Sequence, residues 1–113
     1  MAKLMLAAVA LWASAALADA PKETSYKGEI VDTICYLTKG AHGAAHKDCA
    51  AACLKNGNPA ALLSDGKLYI LLAAHGNEAA MDQVKAHAAE VVTVTGTEVD
   101  MDGLKAIFVT AVK

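Results

Sequence analysis

The sequence predicts a mainly β fold, a small five-stranded barrel with two helices. Five short segments rich in β-branched and aliphatic residues are separated by turn signals. Two alanine-rich segments with helical periodicity interrupt them. The resulting order is β-α-β-β-α-β-β. A helix between the third and fourth strands is typical of an OB-like (oligonucleotide/oligosaccharide-binding) barrel, and here an extra helix is inserted between strands 1 and 2.

The five strands follow from alternation and from turn residues. The first shows a loose alternation of apolar and polar residues over YKGEIVDTI. Asp65-Gly66 between two apolar runs predicts a tight hairpin of strands 2 and 3. Gly96 marks a bulge or tight bend in the fourth strand, and Met101-Asp102-Gly103 turns the chain into the fifth. The predicted strands are residues 26–34, 60–64, 67–73, 90–100 and 104–112.

The two helices are bounded by recognisable capping and stop signals. Residues 44–56 are alanine-rich, and Gly57 followed by Asn58-Pro59 is a typical helix end. Asn77 can cap the second helix over residues 78–89.

The first eighteen residues have the features of a secretory signal peptide. Lys3 supplies a positive start, residues 4–17 carry no charge, and Ala16-Leu17-Ala18 fits the small-x-small cleavage pattern. The apolar run is shorter than the roughly 20 residues that a spanning helix needs. We therefore expect cleavage after Ala18, no membrane insertion of the mature chain, and a periplasmic or secreted protein.

The remainder of the chain predicts one small domain. Residues 19–25 are polar and are expected to form a disordered lead-in to a single domain over residues 26–113. The chain has 10 basic and 12 acidic residues, a net charge of −2, and no arginine. Such a chain is poorly suited to binding nucleic acid. A domain of this size has a thin core and often uses a disulfide or a metal.

The inserted helix carries most of the candidate metal-ligating residues. If the helix is extended back to His42, four residues spaced at i, i+4, i+7 and i+11 form one narrow stripe on its inward face. They are His42, His46, Cys49 and Cys53. Cys35, at the end of the first strand, can approach this stripe. Together with His46, Cys49 and Cys53 of the stripe, its thiol makes a Cys₃His set of a kind that recurs in zinc sites. The predicted metal ligands are Cys35, His46, Cys49 and Cys53.

The spacing also permits copper. Soft thiolates favour Cu(I). The rise from His46 to Cys53 is about 10 Å along a regular helix, so one ion reaches both only if the helix starts after His46. Two-coordinate Cu(I) on Cys49 and Cys53, or three-coordinate Cu(I) with Cys35 added, avoids this constraint. The expected ion is therefore Cu(I) or Zn(II), held without enzymatic activity.

A disulfide is the main alternative. A bridge from Cys35 to Cys49 or to Cys53 closes a loop of about 15–19 residues and contributes roughly 3 kcal/mol in the chain-entropy model. The third cysteine is then left over. In that case the protein is a structural or interaction module whose barrel face binds a protein or a small ligand. Thiol redox activity is a minor alternative, because CAAAC is not the CxxC of thiol oxidoreductases.

The mature chain resembles a family of small exported bacterial domains of unknown function. The resemblance rests on the segments GEIVD at 28–32 with Cys35, HKDCAAAC at 46–53, and VTVTG at 92–96. Members have G-x-[IV]-x-D-x-x-C, then H-x-x-C-A-x-x-C, then a V-x-V-x-G strand. The resemblance implies an OB-like barrel and a single constellation of Cys35, His46, Cys49 and Cys53, without implying an activity. His42 lies outside the family pattern and is left out of the predicted site.

Overall fold

Five strands close into a barrel in residues 22–113, the part of the chain that the computed structural model describes. Around the barrel the order is β1-β2-β3-β5-β4, and β1 pairs with both β2 and β4. All pairings are antiparallel except β3 with β5. This mixed closed barrel confirms the OB-like prediction. The strands are β1 (Glu23–Asp32), β2 (Ala60–Ser64), β3 (Lys67–Ala73), β4 (Val91–Met101) and β5 (Leu104–Val112).

The first strand differs most from its predicted bounds. Glu23, Thr24 and Ser25 pair with Thr97, Gly96 and Thr95 of β4, so the prediction that they belong to a disordered lead-in is wrong. Backbone pairing along the long β4 orders these residues although their side chains are exposed. The expected signal peptide, residues 1–18, lies outside the described residues.

Three helices accompany the barrel, one more than predicted. They are α1 (Thr33–Lys39), α2 (Lys47–Lys55) and α3 (Ala79–Ala86). The unpredicted helix, α1, begins because the Asp32 side chain accepts hydrogen bonds from the backbone N–H groups of Ile34 and Cys35. It ends at Gly40, which adopts a left-handed φ of 64°. Cys35 therefore lies in the first turn of a helix and not at the end of a strand.

The Cys/His segment is not one continuous helix. A 3₁₀ turn, Ala44–His46, precedes α2, and His46 itself has φ −100° and ψ 3°. The α-helix thus begins after His46, and the four-residue stripe that the periodicity predicted is interrupted there. His42 is half exposed, with its Nδ1 3.5 Å from a carboxylate oxygen of Glu29.

The helices cover the barrel core with small apolar faces. Ala50 and Leu54 of α2 and Val84 of α3 are buried in one cluster with the strand residues. The predicted irregularity at Gly96 is confirmed, because the β4–β5 register shifts between Thr95 and Gly96. A Cβ at Gly96 would collide with the carbonyl oxygen of Phe108, which explains the glycine. In residues 22–113 no helix has the length and apolar character needed to cross a membrane.

Candidate metal centre

Two helices bring all three cysteines together. Cys35 is the third residue of α1, Cys49 is the third residue of α2, and Cys53 follows one helical turn later. Their sulfur atoms all lie within 4.8 Å of one another. Sulfur atoms around a tetrahedral zinc are about 3.8 Å apart, given Zn–S bonds of about 2.3 Å. The three thiols are therefore close enough to hold one metal ion after small side-chain adjustments.

The segment after α2 ties the two cysteine-bearing helices together. The backbone N–H of Asn58 donates to the carbonyl oxygen of Cys53 at 3.0 Å, which closes the end of α2. The Asn58 side chain donates from Nδ2 to Oδ2 of Asp32, the N-cap of α1, also at 3.0 Å. The N–H of Thr33 donates to the carbonyl oxygen of Pro59 at 3.0 Å. These hydrogen bonds hold the start of α1 against the end of α2, and hence Cys35 near Cys53.

Asp32 is a fully buried acid in direct contact with the thiol cluster. Its Oδ1 accepts the N–H of Ile34 at 2.8 Å, and its Oδ2 lies 3.6 Å from the Cys35 thiol, which donates to it. Burial acts to raise the pKa of Asp32, but hydrogen bonds from Asn58, Cys53 and the α1 backbone outweigh it and lower that pKa from 3.8. A charged carboxylate therefore lies beside the sulfurs.

The same contacts disfavour ionised thiols. Burial, and then the negative charge of Asp32, raises the pKa of Cys35. The hydrogen bond to Asp32, then burial, then the neighbouring Cys49, raises the pKa of Cys53 to about 12. In the metal-free protein both groups are consequently neutral thiols near pH 7. Cys49 is exposed, so one edge of the cluster is open to solvent.

His46 occupies a different position from the three cysteines. The group whose ligand atoms lie within 4.8 Å of one another contains the cysteines and not His46. The His46 ring lies at the N-terminus of α2, and its Nε2 is buried with no hydrogen-bond partner within residues 22–113. A fourth-ligand role for His46 stays a prediction.

The cysteines are free thiols in the structure. A bridge from Cys35 to Cys49 or to Cys53 therefore also stays a prediction. Because the three sulfurs lie within 4.8 Å of one another, Cys49 and Cys53 are both close enough to be the bridge partner of Cys35.

Two residues of the site were not singled out as functional from the sequence. The signal for Asp32 was its spacing of three residues before Cys35, since an N-cap side chain reaches the backbone N–H groups of the first helical turn. The sequence marks Asn58 only as part of a helix end. Its contact with Asp32 joins residues 26 positions apart, and no local pattern reports such a contact.

The arrangement can hold a soft metal ion and offers it an open side at Cys49. Thiolate sulfur suits Zn(II) and Cu(I), and a buried carboxylate lies beside the sulfurs. Comparisons with protein-family models, with curated proteins and with solved structures give no match for this chain.

Proposed function

We propose that this is a small exported protein that binds a soft metal ion, Cu(I) or Zn(II), and is not an enzyme. The observation that carries the proposal is the convergence of Cys35, Cys49 and Cys53, whose sulfurs lie within 4.8 Å of one another. Cys35 comes from α1 and the other two cysteines come from α2, so it is the fold that brings the three sulfurs together. In this proposal the three thiolates are the ligands, and His46 completes the Cys₃His set.

The proposed location fits the chemistry of the cluster. The N-terminal residues 1–18 have the pattern of a secretory signal, and export would bring the thiols into an oxidising compartment. With sulfurs within 4.8 Å of one another, two of the three thiols are expected to oxidise to a disulfide there unless a metal holds them. Two of them bind their protons strongly, so a metal must displace those protons to bind. A soft, tightly bound ion is the ligand that can do so.

A free-thiol count on protein from the native compartment tests both parts of the proposal. The full chain is expressed in a bacterium and purified from the periplasm without reductant. It is then denatured with chelator, alkylated and weighed. Three alkylated cysteines together with one equivalent of metal by elemental analysis are expected. One alkylated cysteine would show a disulfide and contradict the proposal.

A direct titration provides the second test. Fully reduced protein should bind one equivalent of Zn(II) or Cu(I), and Cys49→Ser should weaken binding by at least about tenfold. Because Cys49 is exposed, the metal-free variant should keep its stability within about 0.5 kcal/mol. No binding by the reduced wild type would overturn the proposal.

A second candidate function is supported by a separate surface. An apolar pocket of about 380 Å³ lies beside β3 and β5, a volume in the range of small-molecule sites. Leu37 and Leu104 line it and are 69% and 63% exposed. Lys67 and Lys105 stand at the same pocket. Lys105 is paired with Asp100 at 2.6 Å, which leaves Lys67 to meet a negative charge. The pocket favours a module whose barrel face binds a small, mainly apolar ligand if the cysteines prove to be bridged. Binding of an anilinonaphthalene sulfonate dye that Leu104→Lys abolishes would support it.

A further inference from the structure

The buried Asp32 lies next to the sulfurs without being one of the grouped ligands. Its side chain is fully buried, and its Oδ2 is 3.6 Å from the Sγ of Cys35. It does not belong to the set whose ligand atoms lie within 4.8 Å of one another. The carboxylate is therefore placed to act on a bound ion without binding it. It acts by its own negative charge and by its contact with the Cys35 sulfur.

The charge of Asp32 is held in place by donors that do not depend on the thiols. The backbone N–H groups of Ile34 and Cys35 donate to Oδ1, and the amide of Asn58 donates to Oδ2. Hydrogen bonds of this kind favour the ionised carboxylate. Within residues 22–113 none of the salt bridges includes Asp32. The donors therefore stabilise the negative charge of Asp32 without cancelling it.

Counting charges separates the possible complexes. Each thiol that becomes a ligand releases its proton to solvent. Zn(II) with three thiolates has a net charge of −1, Cu(I) with three thiolates has −2, and Cu(I) with two thiolates has −1. Asp32 is itself buried, and its fixed negative charge repels the −2 complex about twice as strongly as either −1 complex. Asp32 thus destabilises Cu(I) with three thiolates more than it destabilises the other two complexes.

We propose that Asp32 sets the metal preference of the site, favouring a divalent soft ion such as Zn(II) on three thiolates over three-coordinate Cu(I). This inference rests on the proposed metal-binding function. Asp32 is a positioning residue in this scheme: it holds α1 and the Cys35 thiol, and its charge selects among the ions that the sulfurs can bind.

The test is Asp32→Asn, which keeps the shape of the side chain and its ability to cap a helix. Zn(II) and Cu(I) affinities are measured without oxygen and at one pH, by competition with chelators of known affinity. One charge difference at about 6 Å and an effective dielectric constant of about 20 corresponds to roughly a hundredfold. Because the variant lifts the extra repulsion on three-thiolate Cu(I), we expect Cu(I) to gain its third thiolate there and the ratio of Cu(I) to Zn(II) affinity to rise about tenfold.

Asp48→Asn is the matched control. It removes the same charge next to Cys49, but Asp48 is exposed and its field is screened by solvent and salt. Its affinity ratio should stay within about twofold of wild type. A merely structural role of Asp32 would change both affinities by one factor and leave the ratio unchanged, and that result would overturn the inference. A wild type that binds neither ion would instead overturn the proposed function itself.

A measurement on the wild type keeps the inference testable if Asp32→Asn does not fold. X-ray absorption at the metal edge counts the sulfur neighbours of each bound ion. We expect three sulfurs around Zn(II) and two around Cu(I). Three sulfurs around Cu(I) in the wild type would contradict the inference while leaving soft-metal binding intact.

Discussion

The side-chain amide of Asn58 donates a hydrogen bond of 3.0 Å to the buried carboxylate of Asp32. Asp32 caps the helix that carries Cys35, and Asn58 closes the helix that carries Cys49 and Cys53. One hydrogen bond therefore links the two halves of the thiol cluster. It also supplies a donor to a charge that has no access to water.

Removing the Asn58 amide should weaken both the fold and the metal site. Asn58→Ala leaves the buried carboxylate of Asp32 short of one donor, which costs about 1–3 kcal/mol of unfolding free energy. Metal affinity should also fall, because Cys35 is no longer held near Cys53. Denaturant unfolding and Zn(II) titration measure the two effects. Asn77→Ala is the matched control, since Asn77 donates a similar bond to the Thr110 carbonyl in another part of the barrel. Equal metal affinities in the two variants would contradict this role for Asn58.

Metal affinity should fall steeply as the pH falls. The pKa of Cys53 is raised to about 12 and that of Cys35 is raised as well, so both protons are present near neutrality and must leave when the metal binds. Each displaced proton lowers the apparent affinity about tenfold per pH unit. Zn(II) titrations between about pH 6 and pH 8 should thus show a change of at least about a hundredfold per unit. A flat profile would mean that the ion is not held by these two thiolates.

His46 and His42 should behave differently in metal binding. The Nε2 of His46 is buried without a hydrogen-bond partner within residues 22–113, and His46 is three residues from Cys49. His42 is half exposed beside Glu29. His46→Ala should lower Zn(II) affinity by about tenfold or more, whereas His42→Ala should leave it within about twofold. Competition titrations against a chelator distinguish these outcomes. Equal effects of the two substitutions would remove His46 from the ligand set.

Asp32 should make the fold sensitive to acid. Its pKa in the folded protein is lowered from 3.8, so its charged form stabilises the fold above that unfolded value. The stabilisation is lost as the pH falls through the lower, folded pKa. Unfolding free energies of metal-free wild type should consequently decline below about pH 4. Asp32→Asn should decline less over the same range, while Asp48→Asn should follow the wild type. Parallel curves for all three proteins would show that Asp32 does not supply this acid sensitivity.

The strands show how much of the fold is encoded locally. The predicted bounds of β2, β3 and β5 agree with the structure, and β4 differs by one residue at each end. Two turns explain this agreement: Asp65 and Gly66 both adopt positive φ, as do Asp102 and Gly103. These residues take such conformations at low cost, and the flanking alternation sets which side chains enter the barrel. Adjacent residues were enough to predict these elements.

The site was predictable in part for the same reason. Cys49 and Cys53 are one helical turn apart, so their common face follows from the helix period alone. The unpredicted helix α1 shows the limit. Thr33 and Ile34 are β-branched and extend the preceding strand pattern, yet Asp32 caps a helix at that point. Two contacts of the folded chain favour the helix over the strand here. The Asn58 amide donates to Asp32, and the Thr33 N–H donates to the Pro59 carbonyl oxygen.

The sequence by itself therefore determined the five-stranded barrel, the bounds of β2, β3 and β5, and the two cysteines that share a helix face. Only the tertiary structure decided that Cys35 joins them from a helix, that His46 lies outside the group of sulfurs, and that a buried carboxylate touches the thiols. The physical reason is distance along the chain. Turns and helix faces depend on neighbouring residues, whereas the charge and geometry of this cluster depend on contacts between Asp32 and Asn58, 26 residues apart.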